Sequence, residues 1–253
     1  MGKRTPTSMA ERAVKQRRSA DRPPAERPPA DRPPVKRAIA DEAARHAVLE
    51  TARAMAARGL SPGRSGNVSA RCDGGMLITP TGISYDVMVP GDIVAVDADG
   101  SVARGQKKPS SEWQFHLAAY VARPDRHAIV HTHAMHATVL ACAHKPIPAF
   151  HYMVAVAGGA DIPLVPYATF GSDELAAHVA SGLTKRDACL MANHGMIAIG
   201  ATLSAALELA ADVEVLAEQY VKVLTLGVPH ILDDAEMTRV LAKFKSYGQK
   251  GQS

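Results

Sequence analysis

Two short stretches constrain what this chain can become. Residues 109–116 read Pro-Ser-Ser-Glu-Trp-Gln-Phe-His, and residues 128–133 read Ala-Ile-Val-His-Thr-His. The first is a helix start: Ser110 or Ser111 can cap a helix running to about Ala122, with Glu112 in its first turn. The second is a short apolar run of the kind that forms a buried strand. On a strand, side chains two residues apart share a face. His131 and His133 can therefore hold one metal ion between them. Glu112 can act on whatever that metal binds.

The rest of the chain supplies short strands, helices and turns in alternation. Residues 39–58 read as a helix closed by Gly59, with Val48, Ala52, Met55 and Ala56 on one face. Gly63–Ser69 reads as a glycine-rich loop. Strands are expected at 75–79, 93–96, 164–167 and 189–192, with a return strand at 196–199 after the turn Asn193-His194-Gly195. An Asp99-Gly100 hairpin turn follows the second of these. Further helices are expected at 135–143, from Phe150 to Gly158, at 173–183, at 202–226 and at about 235–247. Several connections look like hairpins. The expected fold class is α/β, with a largely antiparallel or mixed sheet and helices on both faces.

Charge divides the chain in two. Residues 1–38 hold 11 Lys/Arg against 4 Asp/Glu, whereas residues 39–253 hold 18 against 21. The sequence pI of 9.0 thus belongs to the N-terminal arm and does not argue for a nucleic-acid partner. That arm repeats Asp-Arg-Pro-Pro or Glu-Arg-Pro-Pro three times, at 21–24, 26–29 and 31–34. Such a segment buries little apolar surface. It reads as a disordered extension, or as a tether for an acidic partner, ahead of a domain at 39–253. No signal-peptide core is visible in it. The uncharged run Ala188–Leu207 contains Asn193, His194 and two glycines, so it reads as strand, turn and helix start and not as a membrane span. Cys72, Cys142 and Cys189 are widely spaced and odd in number, which suits a reducing cytoplasm better than a disulfide framework.

The chain has 11 histidines. His46, His116, His127, His144, His178 and His230 read as spectators. His194 does not, because it sits in a turn at the end of an apolar strand. Three neutral imidazoles with an open position suit a catalytic metal. Glu112 would be a fourth ligand at rest and a base when substrate displaces it. Gly66-Asn67, Thr81-Gly82 and the serines at the helix start are turn or capping elements that can also cradle a phosphate. Together they suggest a phosphorylated oxo-substrate, with the metal polarising its carbonyl and Glu112 moving a proton on the adjacent carbon.

Over residues 42–248 the chain resembles the class II aldolase/adducin family. The ordered motifs are SGNVS (65–69), MLITPTGI (76–83), PSSEWQFHLAAY (109–120), VHTHAMH (130–136), IPAFHYM (147–153), GGADIPLVPYATFG (158–171), NHG (193–195), DVEVL (212–216) and KFKSYG (243–248). Thr132 and the Met191-Ala-Asn193 lead-in depart slightly from the aldolase pattern, and neither removes a ligand. The resemblance implies a three-layer α/β/α fold and a cyclic homotetramer with active sites between subunits. It implies that His131, His133, His194 and Glu112 bind zinc, with manganese or cobalt as alternatives. It assigns the phosphate to Gly66, Asn67, Thr81, Gly82, Ser110 and Ser111, and proton transfer to Glu112. It assigns Tyr152, reaching in from a neighbouring subunit, to the aldehyde oxygen. It places Phe170 on that same neighbouring wall, and Tyr220 and the stretch 243–247 among the parts that close over the substrate. The implied reaction is reversible cleavage of L-fuculose 1-phosphate, or of a related 5-deoxy or 5-methylthio ketose 1-phosphate, to dihydroxyacetone phosphate and an aldehyde. The competing readings are a pentulose-phosphate 4-epimerase, a methylthioribulose-phosphate dehydratase and a non-catalytic adducin-like module.

Overall fold

Apolar residues alternate along the strands, and that alternation builds two cores on one sheet. The computed structural model describes residues 35–62 and 65–244, with side chains from Glu42 onward. Most of the N-terminal arm, the start of the 63–69 loop and the expected end of the last helix lie outside the described residues. Among those described, β1 (Asn67–Cys72), β2 (Gly75–Ile78), β3 (Val94–Asp97), β4 (Ala128–Thr132), β5 (Leu164–Val165), β6 (Ala188–Met191) and β7 (Gly195–Gly200) form one sheet. Its order is β3-β2-β1-β4-β7-β6-β5. All neighbours pair antiparallel except β5 and β6, which are parallel.

One face carries Val68, Leu77, Val130, Leu190, Met196 and Ala198. Helices α1 (Val35–Ala57), α3 (Met135–Cys142) and α5 (Leu203–Leu226) pack there through residues such as Met55, Leu140, Val213 and Leu216. The other face carries Met76, Ile78, Val94, Ile129, Met191 and Ile197. Helices α2 (Trp113–Ala122) and α4 (Asp173–Leu183) cover it through Phe115, Leu175 and Val179. Each such fully buried Leu or Ile contributes roughly 1.5–3 kcal/mol. Helix α6 (Asp234–Phe244) packs on a 3-10 turn, Tyr152–Ala157, in a smaller third cluster. The expected mixed, mostly antiparallel sheet between two helix layers is what forms.

Two expectations are corrected. The loop at 63–69 runs into a central strand, β1, lying between β2 and β4. Its pattern was obscure because Ser69 and Arg71 point toward α2 where apolar residues would be expected. Their polar groups are taken up there, Arg71 by the carbonyls of Tyr120, Arg123 and Arg126. The start of α2 also differs. Neither serine caps it by its side chain; Glu112 occupies the N-cap position. The Trp113 N–H instead reaches the Ser110 carbonyl at 3.2 Å, and the Ser110 hydroxyl receives the Glu112 N–H at 3.3 Å. Glu112 is thereby the last residue before the helix, with its carboxylate turned to the end of β4.

Candidate active site

Strand β4 ends at Thr132, so His131 lies on the strand and His133 one residue beyond it. Their rings still converge, with the two Nε2 atoms 3.1 Å apart. Antiparallel β7 runs alongside, and its preceding turn carries His194. The turn closes through the His194 N–H on the Met191 carbonyl at 3.1 Å. Asn193 adopts φ 53° there, a left-handed conformation that asparagine tolerates. Gly195 must be glycine for this approach: a Cβ would lie 2.5 Å from the Thr132 carbonyl oxygen and 2.9 Å from the His133 ring.

The three histidines place one ring nitrogen each within 4.8 Å of one another. Tetrahedral zinc–nitrogen bonds would space ligand atoms by about 3.3 Å, so the set fits such an ion with little adjustment. His131 is fully buried, and its Nδ1 donates to the Met196 carbonyl at 2.8 Å. That bond leaves the Nε2 lone pair facing the cluster. Burial, and then the neighbouring imidazoles, push His133 down to about 3, which keeps it neutral and able to ligate.

Glu112 closes the cluster. Its Oε1 lies 2.9 Å from His194 Nε2 and its Oε2 3.3 Å from His131 Nε2. Burial alone would raise this carboxyl. The facing imidazoles of His131 and His194 outweigh that and hold it well below the usual carboxylate range. A buried carboxylate beside three imidazoles is a donor set for a divalent transition metal.

A cleft of about 340 Å³ opens from this cluster. Gly66, Asn67, Thr81, Gly82, Ser110 and Ser111 all line it, as do Glu112, His133, His194 and Phe170. Backbone bonds gather the three polar pieces. The Thr81 N–H meets the Lys108 carbonyl at 3.1 Å, and the Ser110 N–H meets the Thr79 carbonyl at 3.0 Å. Tyr85, which the sequence reading passed over, donates its hydroxyl to the Gly66 carbonyl at 2.8 Å. Gly66 sits at φ +80°, where a Cβ would fall 2.6 Å from the His131 carbonyl oxygen. The loop can press on β4 only as glycine.

Not every residue singled out is in the cleft. Tyr152 is half exposed and lines a separate cavity of about 700 Å³ with Phe150, Leu232 and Arg239. Tyr220 is buried in α5, its ring 5.0 Å from that of Phe150, and packs beneath the Tyr152 turn away from the cleft. His116, read as a spectator, is wholly buried and hydrogen-bonded to Asn67. No local pattern signals it, since its partners come from β1.

Residues 46–221 match the model of the "Class II Aldolase and Adducin N-terminal domain". The chain belongs to that family. It is 52% identical over 210 residues to the 5-methylthioribulose-1-phosphate/5-deoxyribulose-1-phosphate aldolase of Rhodospirillum rubrum, covering 83% of this chain and 95% of that one. It is 50% identical over 202 residues to the L-fuculose phosphate aldolase of Escherichia coli K12, covering 79% and 94%. A solved L-fuculose 1-phosphate aldolase superposes with a TM-score of 0.77 at 39% identity, over 80% of this chain and 96% of that one. The protein is a class II aldolase, a lyase, and its family is metal-dependent. The carboxylate-and-imidazole cluster is the aldolase's candidate metal centre, and the cleft beside it holds its candidate anion cradle.

Proposed function

We propose that this aldolase reversibly cleaves a ketose 1-phosphate into dihydroxyacetone phosphate and an aldehyde. The observation that carries the reading is that one cleft joins the Ser110–Ser111, Thr81–Gly82 and Gly66 cradle to Glu112, His133 and His194, with His131 buried behind them. A phosphate in the cradle sets the sugar's carbonyl end against the cluster. Zinc, or manganese or cobalt in its place, is held by His131, His133, His194 and, at rest, Glu112. When bound, it supplies Lewis-acid polarisation of the carbonyl.

The chain's own residues then move protons. In cleavage, the hydroxyl on C4 loses its proton to Tyr152 of a neighbouring subunit, and the C3–C4 bond breaks to release the aldehyde. The electron pair left on C3 takes a proton from Glu112, which enters this direction protonated once substrate displaces it, while Tyr152 enters as the phenolate; the proton gained by Tyr152 then returns through solvent to Glu112, so both groups are restored. In synthesis the same groups act in reverse: Glu112 removes the C3 proton of dihydroxyacetone phosphate, and Tyr152 protonates the new alkoxide. Placing Tyr152 on another subunit agrees with its exposure on a different surface of its own chain. Exposed Tyr167 and Phe170 at the cleft rim offer the wall against which that subunit would pack. A cyclic homotetramer is the assembly proposed.

The aldehyde end is proposed to be a 5-deoxy or 5-methylthio tail or the methyl-bearing end of L-fuculose, as the names of the two relatives suggest. A cytoplasmic setting is proposed because Cys72, Cys142 and Cys189 form no disulfide. Among the described residues no helix is long and apolar enough to cross a membrane.

The test is a coupled assay for dihydroxyacetone phosphate, offering L-fuculose 1-phosphate and 5-deoxyribulose 1-phosphate with and without chelator. Chelator-sensitive release, restored by added zinc, is the expected result. Protein that binds metal yet releases nothing from either sugar would direct the assignment to epimerase or dehydratase chemistry.

A further inference from the structure

Asn67 lines the cleft, and both hydrogens of its side-chain NH₂ are engaged within the protein. Its Nδ2 donates to Glu112 Oε2 at 2.8 Å and to Ser110 Oγ at 3.0 Å. Its Oδ1 faces His116 Nε2 at 2.5 Å. Behind it, His116 Nδ1 lies 2.7 Å from Ser69 Oγ, which is 2.9 Å from the Tyr120 hydroxyl. Asn67, Ser69, His116 and Tyr120 are all at most 3% exposed. None of His116, Ser69 and Tyr120 lines the cleft. A file of buried polar groups thus runs from the core between β1 and α2 to the carboxylate and stops there.

The direction of every bond in this file follows from one fact: an ionised carboxylate only accepts. Asn67 must turn its NH₂ to Glu112, so its carbonyl oxygen faces His116. His116 must then carry its proton on Nε2, which makes Nδ1 an acceptor. The Ser69 hydroxyl donates to Nδ1, and Tyr120 donates to Ser69. Read outward, the same logic makes His116 the group that anchors the amide from behind. Without a donor at Nε2, the Asn67 oxygen is left buried and unsatisfied, and the amide loses the bond that fixes its plane against Glu112.

We propose that His116 is a positioning residue for Glu112: acting through Asn67, it ties down Oε2 and leaves Oε1 as the oxygen presented to His194 and the substrate. This rests on the proton-transferring role given to Glu112 above. His116 touches neither substrate nor metal ligand in this scheme. Its effect is on how often Glu112 is aimed, and so falls on turnover before binding. The stacking of its ring on Phe115, at 4.9 Å and 18°, fixes the imidazole plane that the file requires.

The test compares His116→Gln, whose amide can still donate from near the Nε2 position, with His116→Phe and His116→Asn, which cannot. Removing a residue that orients a metal-ligating carboxylate costs about 10- to 100-fold in activity or metal affinity. His116→Phe and His116→Asn are expected to lose that much kcat, with KM for the ketose 1-phosphate within about threefold of wild type, while His116→Gln keeps most of it. Zinc affinity, measured by chelator competition on the protein without substrate, is expected to weaken in the same order. In a Glu112→Gln background, His116→Phe should cause no further loss of kcat, because the group it positions is gone. Wild-type kcat and zinc affinity in His116→Asn would overturn the proposal. So would equal losses in His116→Gln and His116→Asn, which would mark a packing role, and if His116→Phe does not fold, that pair decides alone. Full activity in Glu112→Gln by itself would instead overturn the role given to Glu112.

Discussion

At the scale of single residues, burial decides protonation, and protonation decides what the cluster can bind. His116 is held neutral by its fully buried surroundings and then by His131, which push it down to about 3. In the unfolded chain an imidazole titrates near 6.5. Between those values the unfolded state binds a proton that the folded state refuses, so stability must rise with pH across this window and fall as pH drops through it. One such group contributes a slope of up to about 1.4 kcal/mol per pH unit. Urea midpoints measured from pH 7 to pH 4 should decline for the wild type and decline less steeply for His116→Gln. Parallel curves would show that His116 is not held neutral. The clustering of His131, His133 and His194 was legible in the sequence because its signal is local: two positions apart on an apolar strand, or in a turn at a strand end. His116 was not, because its meaning depends on Asn67 and Ser69, which lie 49 and 47 positions away and meet it only where α2 packs on β1.

At the scale of elements, the site depends on where helices and strands stop. Helix α3 begins immediately after His133, and no side chain at its own start caps it. Glu214, from the middle of α5, does so instead: its oxygens receive the N–H groups of His136 and Ala137, each at 2.9 Å, and the His136 ring at 2.8 Å. A carboxylate at a helix N-terminus satisfies orphan donors and complements the helix dipole. Glu214→Ala should therefore destabilise the fold by about 1–2 kcal/mol, read as a lower urea midpoint, and should loosen metal binding because α3 anchors the end of β4. Unchanged stability would show that the cap is dispensable. Helices α4 and α5 were legible to within a residue, since Ser172 and Thr202 cap them as their residue types demand. Strand β1 escaped because the positions it turns toward α2 are polar and are matched by groups from α2 and from the loops on either side of it. A period-two pattern carries no signal when the buried face is hydrogen-bonded instead of apolar.

At the scale of the whole molecule, a single chain presents a candidate metal centre and a candidate anion cradle but keeps Tyr152 elsewhere. The family could be read from many motifs in order. The proposed contribution of a second subunit could be read only through that resemblance, because nothing in one chain's local pattern reports what would sit across an interface. If Tyr152 serves a neighbour's cleft, mixing Tyr152→Phe and Glu112→Gln subunits should recover part of the wild-type activity. Some of the reassembled clefts would then pair an intact Glu112 with an intact Tyr152. No recovery after verified reassembly would place both groups on one chain.

The account turns on Glu112 moving a proton at the carbon beside a carbonyl, next to three histidines able to hold a metal. The most direct measurement is exchange of the C3 proton of dihydroxyacetone phosphate with deuterated solvent, followed by NMR with no aldehyde present. That isolates the Glu112 step from bond cleavage and from Tyr152. The wild type should exchange stereospecifically, chelator should stop it, and Glu112→Gln should slow it by about 10²–10⁴-fold. Exchange that proceeds at the wild-type rate in Glu112→Gln would contradict the account, whatever sugar the enzyme prefers.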